Sequence, residues 1–275
     1  MLYNGAQMLA ADGNFDKRPA IETYLLHFSN QWGFLLMLAG FYKLLFALGV
    51  TQTFFPLALA QAVLYIFGTR ATLRIAKRLS SAKGELMTLL MLACCLPMYL
   101  AAAVLYTDTF SVPFIMMALD LALRIRDESS RNKQLALAAA CGVVVSIGCQ
   151  IKMTVLIALM AAIIVWLLEM KPARALLCAA LSAAIVAGGS IAAQRFMLSR
   201  VLDPQEAAQN RTPTIHWIMM SIPSANNPYG GYMDDYTPTW RMMEEGATHE
   251  EVMASIYTRM KDRIYTLRYP NRLIT

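Results

Sequence analysis

From residue 53 to residue 198 the chain is a succession of six apolar stretches, 53–76, 86–105, 110–125, 134–150, 153–169 and 175–198, joined by short polar segments. Crossing a hydrocarbon core about 30 Å thick takes about 20 residues of helix. Apolar blocks at this spacing predict an all-α fold, a polytopic transmembrane helical bundle of six spans. The composition agrees, with 57% apolar and 15% charged residues and a mean hydropathy of +0.46; a soluble domain carries about 45–50% and about 25%. Pro97 and Pro113 lie inside spans, where neighbouring helices re-satisfy the backbone groups they free. Cys94, Cys95, Cys141, Cys149 and Cys178 all sit in apolar stretches, where thiols act as small hydrophobes and not as a disulfide or metal framework.

The basic residues orient the bundle. The joins 70–85, 124–133 and 170–175 hold five, four and two Lys or Arg, whereas 105–109 holds none and 150–153 holds only Lys152. Cytoplasmic loops carry the excess of positive charge. The three basic joins are therefore expected inside, and Asp108 and Lys152 outside. The net charge of +6 follows from these inner loops and needs no nucleic acid.

Three regions result. Residues 1–52 are expected to form an outer loop, with one short helix in 1–31, followed by a juxtamembrane helix over 32–48. That stretch is 17 residues long and interrupted by Lys43, marginal for a crossing and suited to the interface. Residues 1–30 carry no apolar run of the signal-peptide kind. Residues 53–198 form the transmembrane domain. Residues 199–275 form an outer polar segment with eight basic and nine acidic residues. Within it Thr248 and Glu251 make a capping box, and Val252, Ile256, Met260 and Ile264 recur at helical spacing, which predicts an amphipathic helix over 248–267.

No Walker, Rossmann or zinc signature is present. The candidate residues are polar groups gathered on the outer side. Asp108 stands where two apolar stretches meet, and a carboxylate there needs water or a partner; it is the candidate catalytic residue. Lys152 is a counter-charge for a lipid phosphate, although a lysine at a span end also snorkels to head groups. His216, Asp234 and Asp235 lie in the outer segment as acceptor-side or outer-loop candidates. The run from Asn226 to Tyr236 reads as a turn-rich loop. Its paired acids are more often solvated than bound to a cation, and no metal site is assigned.

These features together carry a resemblance. Residues 27–33 (His-Phe-Ser-Asn-Gln-Trp-Gly), the Tyr106-Thr107-Asp108-Thr109 turn, residues 150–154 and 216–220 resemble stretches of the polyprenyl-phosphate-dependent glycosyltransferases of the C superfamily. Among these the bacterial protein-mannosyltransferase and aminoarabinose-transferase relatives are the most similar. The resemblance spans nearly the whole chain on short motifs. It implies a lipid-linked sugar donor, a glycan, lipid or protein acceptor, membrane lipid as surroundings, and an active extracytoplasmic face in the cell membrane. Asn30 and Gln31 would then lie on the donor side with Lys152. In that family the catalytic base is an Asp in the first outer loop, shortly after the first span. Residues 1–6 resemble the helix that follows it. The resemblance thus implies that this chain is a truncated, inactive piece with the base upstream of residue 1.

A transporter or lipid flippase is the competing class. Transporters hold polar residues near the midplane, whereas here Asp120 is the main ionisable group inside a span. A purely structural membrane subunit would need no outer cluster.

Overall fold

The computed structural model describes residues 1–15, 19–223 and 232–268. The described residues form helices and contain no strand. Two compact units are present, one of Met1–Lys17 and Asn30–Met197, the other of Arg18–Ser29 and Leu198–Thr275.

The first unit opens with α1 (Leu2–Ala11), then Asn30 and Gln31 of a 3-10 turn that starts at Ser29, and α3 (Trp32–Ala47); α2 (Pro19–His27) belongs to the second unit. Then come α4 (Phe54–Leu79), α5 (Ala82–Cys94), α6 (Leu96–Ala103), α7 (Thr107–Asp127), α8 (Arg131–Ile151), α9 (Leu156–Glu169) and α10 (Pro172–Arg200). Helix α3 has 16 residues, roughly 24 Å of rise, less than a bilayer core. Three helices, α4, α8 and α10, are long and apolar enough to cross one.

Side-chain contacts fix how the helices run. Gln61 donates to Thr109 Oγ1 at 2.9 Å, Gly68 abuts Pro113, Arg74 meets Asp120 at 3.4 Å, and Arg78 meets Asp127 at 2.8 Å. Positions on α4 and α7 thus advance together, and the two helices are parallel. Gln134 donates to Ile125 O and Cys141 to Ala118 O, while Lys152 pairs with Asp108. Here one index rises as the other falls, so α8 is antiparallel to α7. By the same reasoning α9 runs with α7, through Trp166 Nε1 to Ala122 O at 3.0 Å and Arg126 to Glu169 at 3.3 Å. Helix α10 runs with α8, through Ser182 Oγ to Ala138 O at 2.8 Å. Lys77–Glu85 and Gln61 to Val104 O set α5 and α6 antiparallel to α4. Direction therefore alternates along the chain. Asp108 and Lys152 share one end, and the basic joins lie at the other.

Close packing rests on small residues, as between helices in lipid. A Cβ on Gly148 would stand 2.7 Å from Val155 Cγ1 and 2.9 Å from Phe114 Cβ, and one on Gly142 would stand 3.0 Å from Ser182 Cα. The outward faces are apolar: Phe54, Phe55, Ile66, Met91, Ile164 and Leu168 are exposed. Such continuous apolar surface suits lipid and not water.

Two expectations for this unit change. The single span 86–105 is two helices, parted at Cys95 ahead of Pro97, because proline supplies no amide hydrogen to continue the ladder. Residues 1–31 hold two helices and not one. The first of them buries Leu2, Gly5 and Ala6.

The second unit comprises α2 (Pro19–His27), α11 (Pro204–Asn210), α12 (Thr214–Met220), α13 (Tyr232–Glu244) and α14 (His249–Arg268). Met219, Met243, Val252 and Ile256 make its core, with Met260 against it. The expected amphipathic stripe thus buries its first members, but Ile264 is exposed. The capping box forms as expected: Thr248 N–H donates to Glu251 Oε2 at 2.8 Å, and Glu251 N–H donates to Thr248 Oγ1 at 3.3 Å. The donated backbone and hydroxyl hydrogens hold the Glu251 carboxyl below its usual range. Helix α13 closes on Gly246, at φ +83, with Ala247 N–H to Met242 O and Gly246 N–H to Met243 O, the paired bonds of a left-handed glycine cap.

Candidate functional site

Helix α7 begins where Tyr106 is extended, at φ −134 and ψ 149. The Thr109 hydroxyl organises this start. It accepts from Tyr106 N–H at 3.3 Å and from Gln61 Nε2 at 2.9 Å, and lies 2.7 Å from the carbonyl oxygens of Val104 and Tyr106. Asp108 is thereby fixed in the first turn of α7. Lys152 caps the C-terminal end of α8, its N–H donating to Gly148 O at 2.8 Å. A carboxylate at a helix start and an ammonium at a helix end both complement the helix dipole. The two side chains form an ion pair, Lys152 Nζ to Asp108 Oδ1.

The pair is open. The Lys152 and Asp108 side chains are 32% and 49% exposed, so its contribution to stability is at most about 1 kcal/mol. Asp108 Oδ2 has no hydrogen-bond partner among the described residues, and an ammonium with one acceptor keeps two further donors. A phosphate can share the ammonium, and a hydroxyl can donate to the carboxylate.

Neighbouring groups hold this end rigid. Tyr3 OH donates to Leu105 O at 2.6 Å, and Tyr3 packs edge-on against Phe34, which packs on Phe110. Burial pushes the Tyr3 phenol above its usual range, so at neutral pH it keeps the proton it donates. The start of α3 also lies here. Gly33 is so close to Gln150 that a Cβ would strike its Oε1, and Gln150 Nε2 donates to Ser190 Oγ at 3.3 Å. Asn30 is exposed and Gln31 half-buried in the turn before α3. They share an end of the unit with Lys152, and among the described residues no hydrogen bond ties Asn30 to the ion pair.

The other candidates separate from these. His216 is fully buried in the second unit. Arg259 Nη2 donates to Thr239 Oγ1 at 2.7 Å, and Thr239 Oγ1 lies 3.2 Å from His216 Nδ1. A guanidinium only donates, so the threonine oxygen accepts from Arg259, and its second lone pair or its hydrogen faces His216 Nδ1. Asp234 and Asp235 belong to the first turn of α13, which corrects the expected loop there, and their side chains lie outside the described residues. Residues 226–231 lie outside them as well. Asp120 is buried on α7. Its Oδ2 meets Arg74, and Oδ1 has no partner among the described residues. Among the described residues no group of three or more His, Cys, Asp or Glu side chains gathers as a metal site.

A family model described as conserved hypothetical integral membrane protein matches residues 28–266. No curated protein and no solved structure matches the chain.

Proposed function

The chain belongs to the conserved hypothetical integral membrane protein family, and on that premise we propose that it is the membrane part of a glycosyltransferase using a polyprenyl-phosphate sugar donor at the extracytoplasmic face. The observation that carries this reading is the Asp108–Lys152 pair, an open ammonium and carboxylate at adjoining helix ends. The basic joins lie at the opposite end of the bundle, which by the positive-inside rule supports reading the pair's end as the outer one.

In this reading the Lys152 ammonium binds the donor phosphate and stabilises it as it leaves. The acceptor oxygen forms a bond to the anomeric carbon as the bond from that carbon to the phosphate oxygen breaks. The acceptor hydroxyl donates to Asp108 Oδ2, which orients the attacking oxygen, and its proton passes to a carboxylate base. In the family that the chain resembles, that base is an Asp of the first outer loop.

A second reading, a transporter or lipid flippase, draws support from Asp120, a buried carboxylate on α7 facing Arg74. Charged groups inside a span often mark an ion or proton path.

The experiment is a transfer assay with the protein reconstituted in proteoliposomes. Asp108→Asn keeps shape and most hydrogen bonds while removing charge. It should lower kcat/KM by about 10²-fold, roughly 2.7 kcal/mol. Wild-type turnover by Asp108→Asn at normal abundance would remove Asp108 from the site.

A further inference from the structure

At the end of the bundle opposite the Asp108–Lys152 pair, cations at helix ends and cations at helix starts differ. Three of the four in the last turns of α4 and α7 hold a carboxylate: Lys77 pairs with Glu85, Arg78 with Asp127, and Arg126 with Asp127 and Glu169. A second group stands where α8 and α10 begin. Arg131 and Lys133 lie in the first turn of α8, Lys171 directly precedes α10, and Arg174 is its third residue. Arg131, Lys133 and Lys171 are exposed, and among the described residues no carboxylate pairs with them. The acids nearest in sequence are engaged elsewhere, Glu128 with Ser130 N–H at 3.0 Å and Glu169 with Arg126.

Both starts run against elementary electrostatics. A helix N-terminus is positive and favours acids, yet the first turns of α8 and α10 contain none. Helix α5, which starts at the same end, carries Glu85 in its first turn. The starts of α8 and α10 also adjoin. The two helices run together through Ser182 Oγ to Ala138 O, and Arg174 Nη1 donates at 3.0 Å to Ser129 O, just ahead of α8. The positive-inside rule accounts for the sign of these residues but not for their gathering, unbalanced, at two adjoining helix starts. A bound anion relieves the repulsion there.

The location selects the anion. Helices α8 and α10 are both long and apolar enough to cross a bilayer, which sets their starts at its surface. Leu168 and Leu176, on either side of Lys171 and Arg174 in the chain, are 79% and 59% exposed. Phosphate on the cations and hydrocarbon against the leucines is the build of a phospholipid; a soluble anion gains nothing from the leucines.

We propose that the adjoining starts of α8 and α10 form a surface for anionic phospholipid head groups, with Arg131, Lys133, Lys171 and Arg174 around the phosphate. The surface goes beyond the transferase reading and stands without it, since it uses neither Asp108 nor Lys152.

The test titrates the protein in detergent micelles with phosphatidylglycerol or phosphatidylcholine and counts bound lipid by native mass spectrometry. The first phosphatidylglycerol should bind about tenfold or more tightly than phosphatidylcholine, the effect of two or more cations near one phosphate. The double variant Arg131→Gln, Lys171→Gln should reduce that preference to about twofold or less. The double variant Arg70→Gln, Lys83→Gln removes the same charge from exposed residues of the same end and should keep it. Phosphatidylcholine binding at the wild-type level in both variants shows that the apolar surface is intact. Equal affinity of the wild-type protein for the two lipids, or equal loss in the two double variants, overturns the proposal. Displacement of phosphatidylglycerol by inorganic phosphate at matched ionic strength also overturns it, because the ligand would then be a soluble anion.

Discussion

Asp108 and Lys152 show how much a single residue discloses before its neighbours are known. Asp108 stood out as a carboxylate between two apolar stretches, and Lys152 as the lone cation in the outer joins. Their meeting was not legible, because they are 44 positions apart and come together only through the antiparallel register of α7 and α8. An exposed pair contributes little to stability, so the two roles open to Lys152 separate cleanly. Lys152→Met should leave the melting temperature within about 2 °C of wild type while weakening donor use at least about tenfold, and Lys152→Arg should retain most of it. Unchanged donor KM and kcat in Lys152→Met would leave a lysine that only snorkels. Glu251 gives a second prediction at this scale. Its folded carboxyl titrates below the usual range because Thr248 donates to its charged form. A group depressed on folding adds stability that is present above its unfolded value, about 4.3, and is lost as pH falls through the folded value. Amide exchange at 252–256, corrected for intrinsic rates, should therefore quicken on acidification below that point. Glu251→Gln should remove this dependence; the same acid response in Glu251→Gln would assign it elsewhere.

Among the elements, the apolar helices and the amphipathic α14 were legible, and the break within 86–105 and the start of α13 were not. The stretches 53–76, 134–150 and 175–198 became α4, α8 and α10 with boundaries displaced by a few residues. The break at Cys95 was missed because a proline in an apolar run signals equally a tolerated kink or a new helix. The beginning of α13 was missed because its Gly-Gly-Tyr approach and two adjacent acids spell a turn, whereas the acids sit in the first turn of a helix, where negative charge is favoured. Helix contacts make a sharp comparison between two glycines. Gly148→Ala places a Cβ against Phe114 Cβ, which cannot retreat without moving α7. It should cost about 1–3 kcal/mol, read as loss of thermal stability in detergent. Gly188→Ala meets open space and should be neutral or gain about 0.5–1 kcal/mol from the better helix former. Equal effects of the two substitutions would contradict the α7–α8 packing.

For the molecule as a whole, membrane residence and helical class were plain in the apolar blocks. The joining of residues 18–29 with the C-terminal segment was not, since no sequence pattern couples stretches so far apart. The alternating helix directions put all three basic joins at one end and the Asp108–Lys152 pair at the other, and the functional account depends on which end faces the cytoplasm. The most direct measurement is labelling of single cysteines, in a background without the five native ones, by an impermeant maleimide added outside intact cells. Ala20→Cys, Met153→Cys and Ser221→Cys should react, and Ser80→Cys and Ser129→Cys should react only after permeabilisation. Labelling of Ser80→Cys or Ser129→Cys in intact cells, with Met153→Cys protected, would place Asp108 and Lys152 on the cytoplasmic side and contradict the extracytoplasmic site.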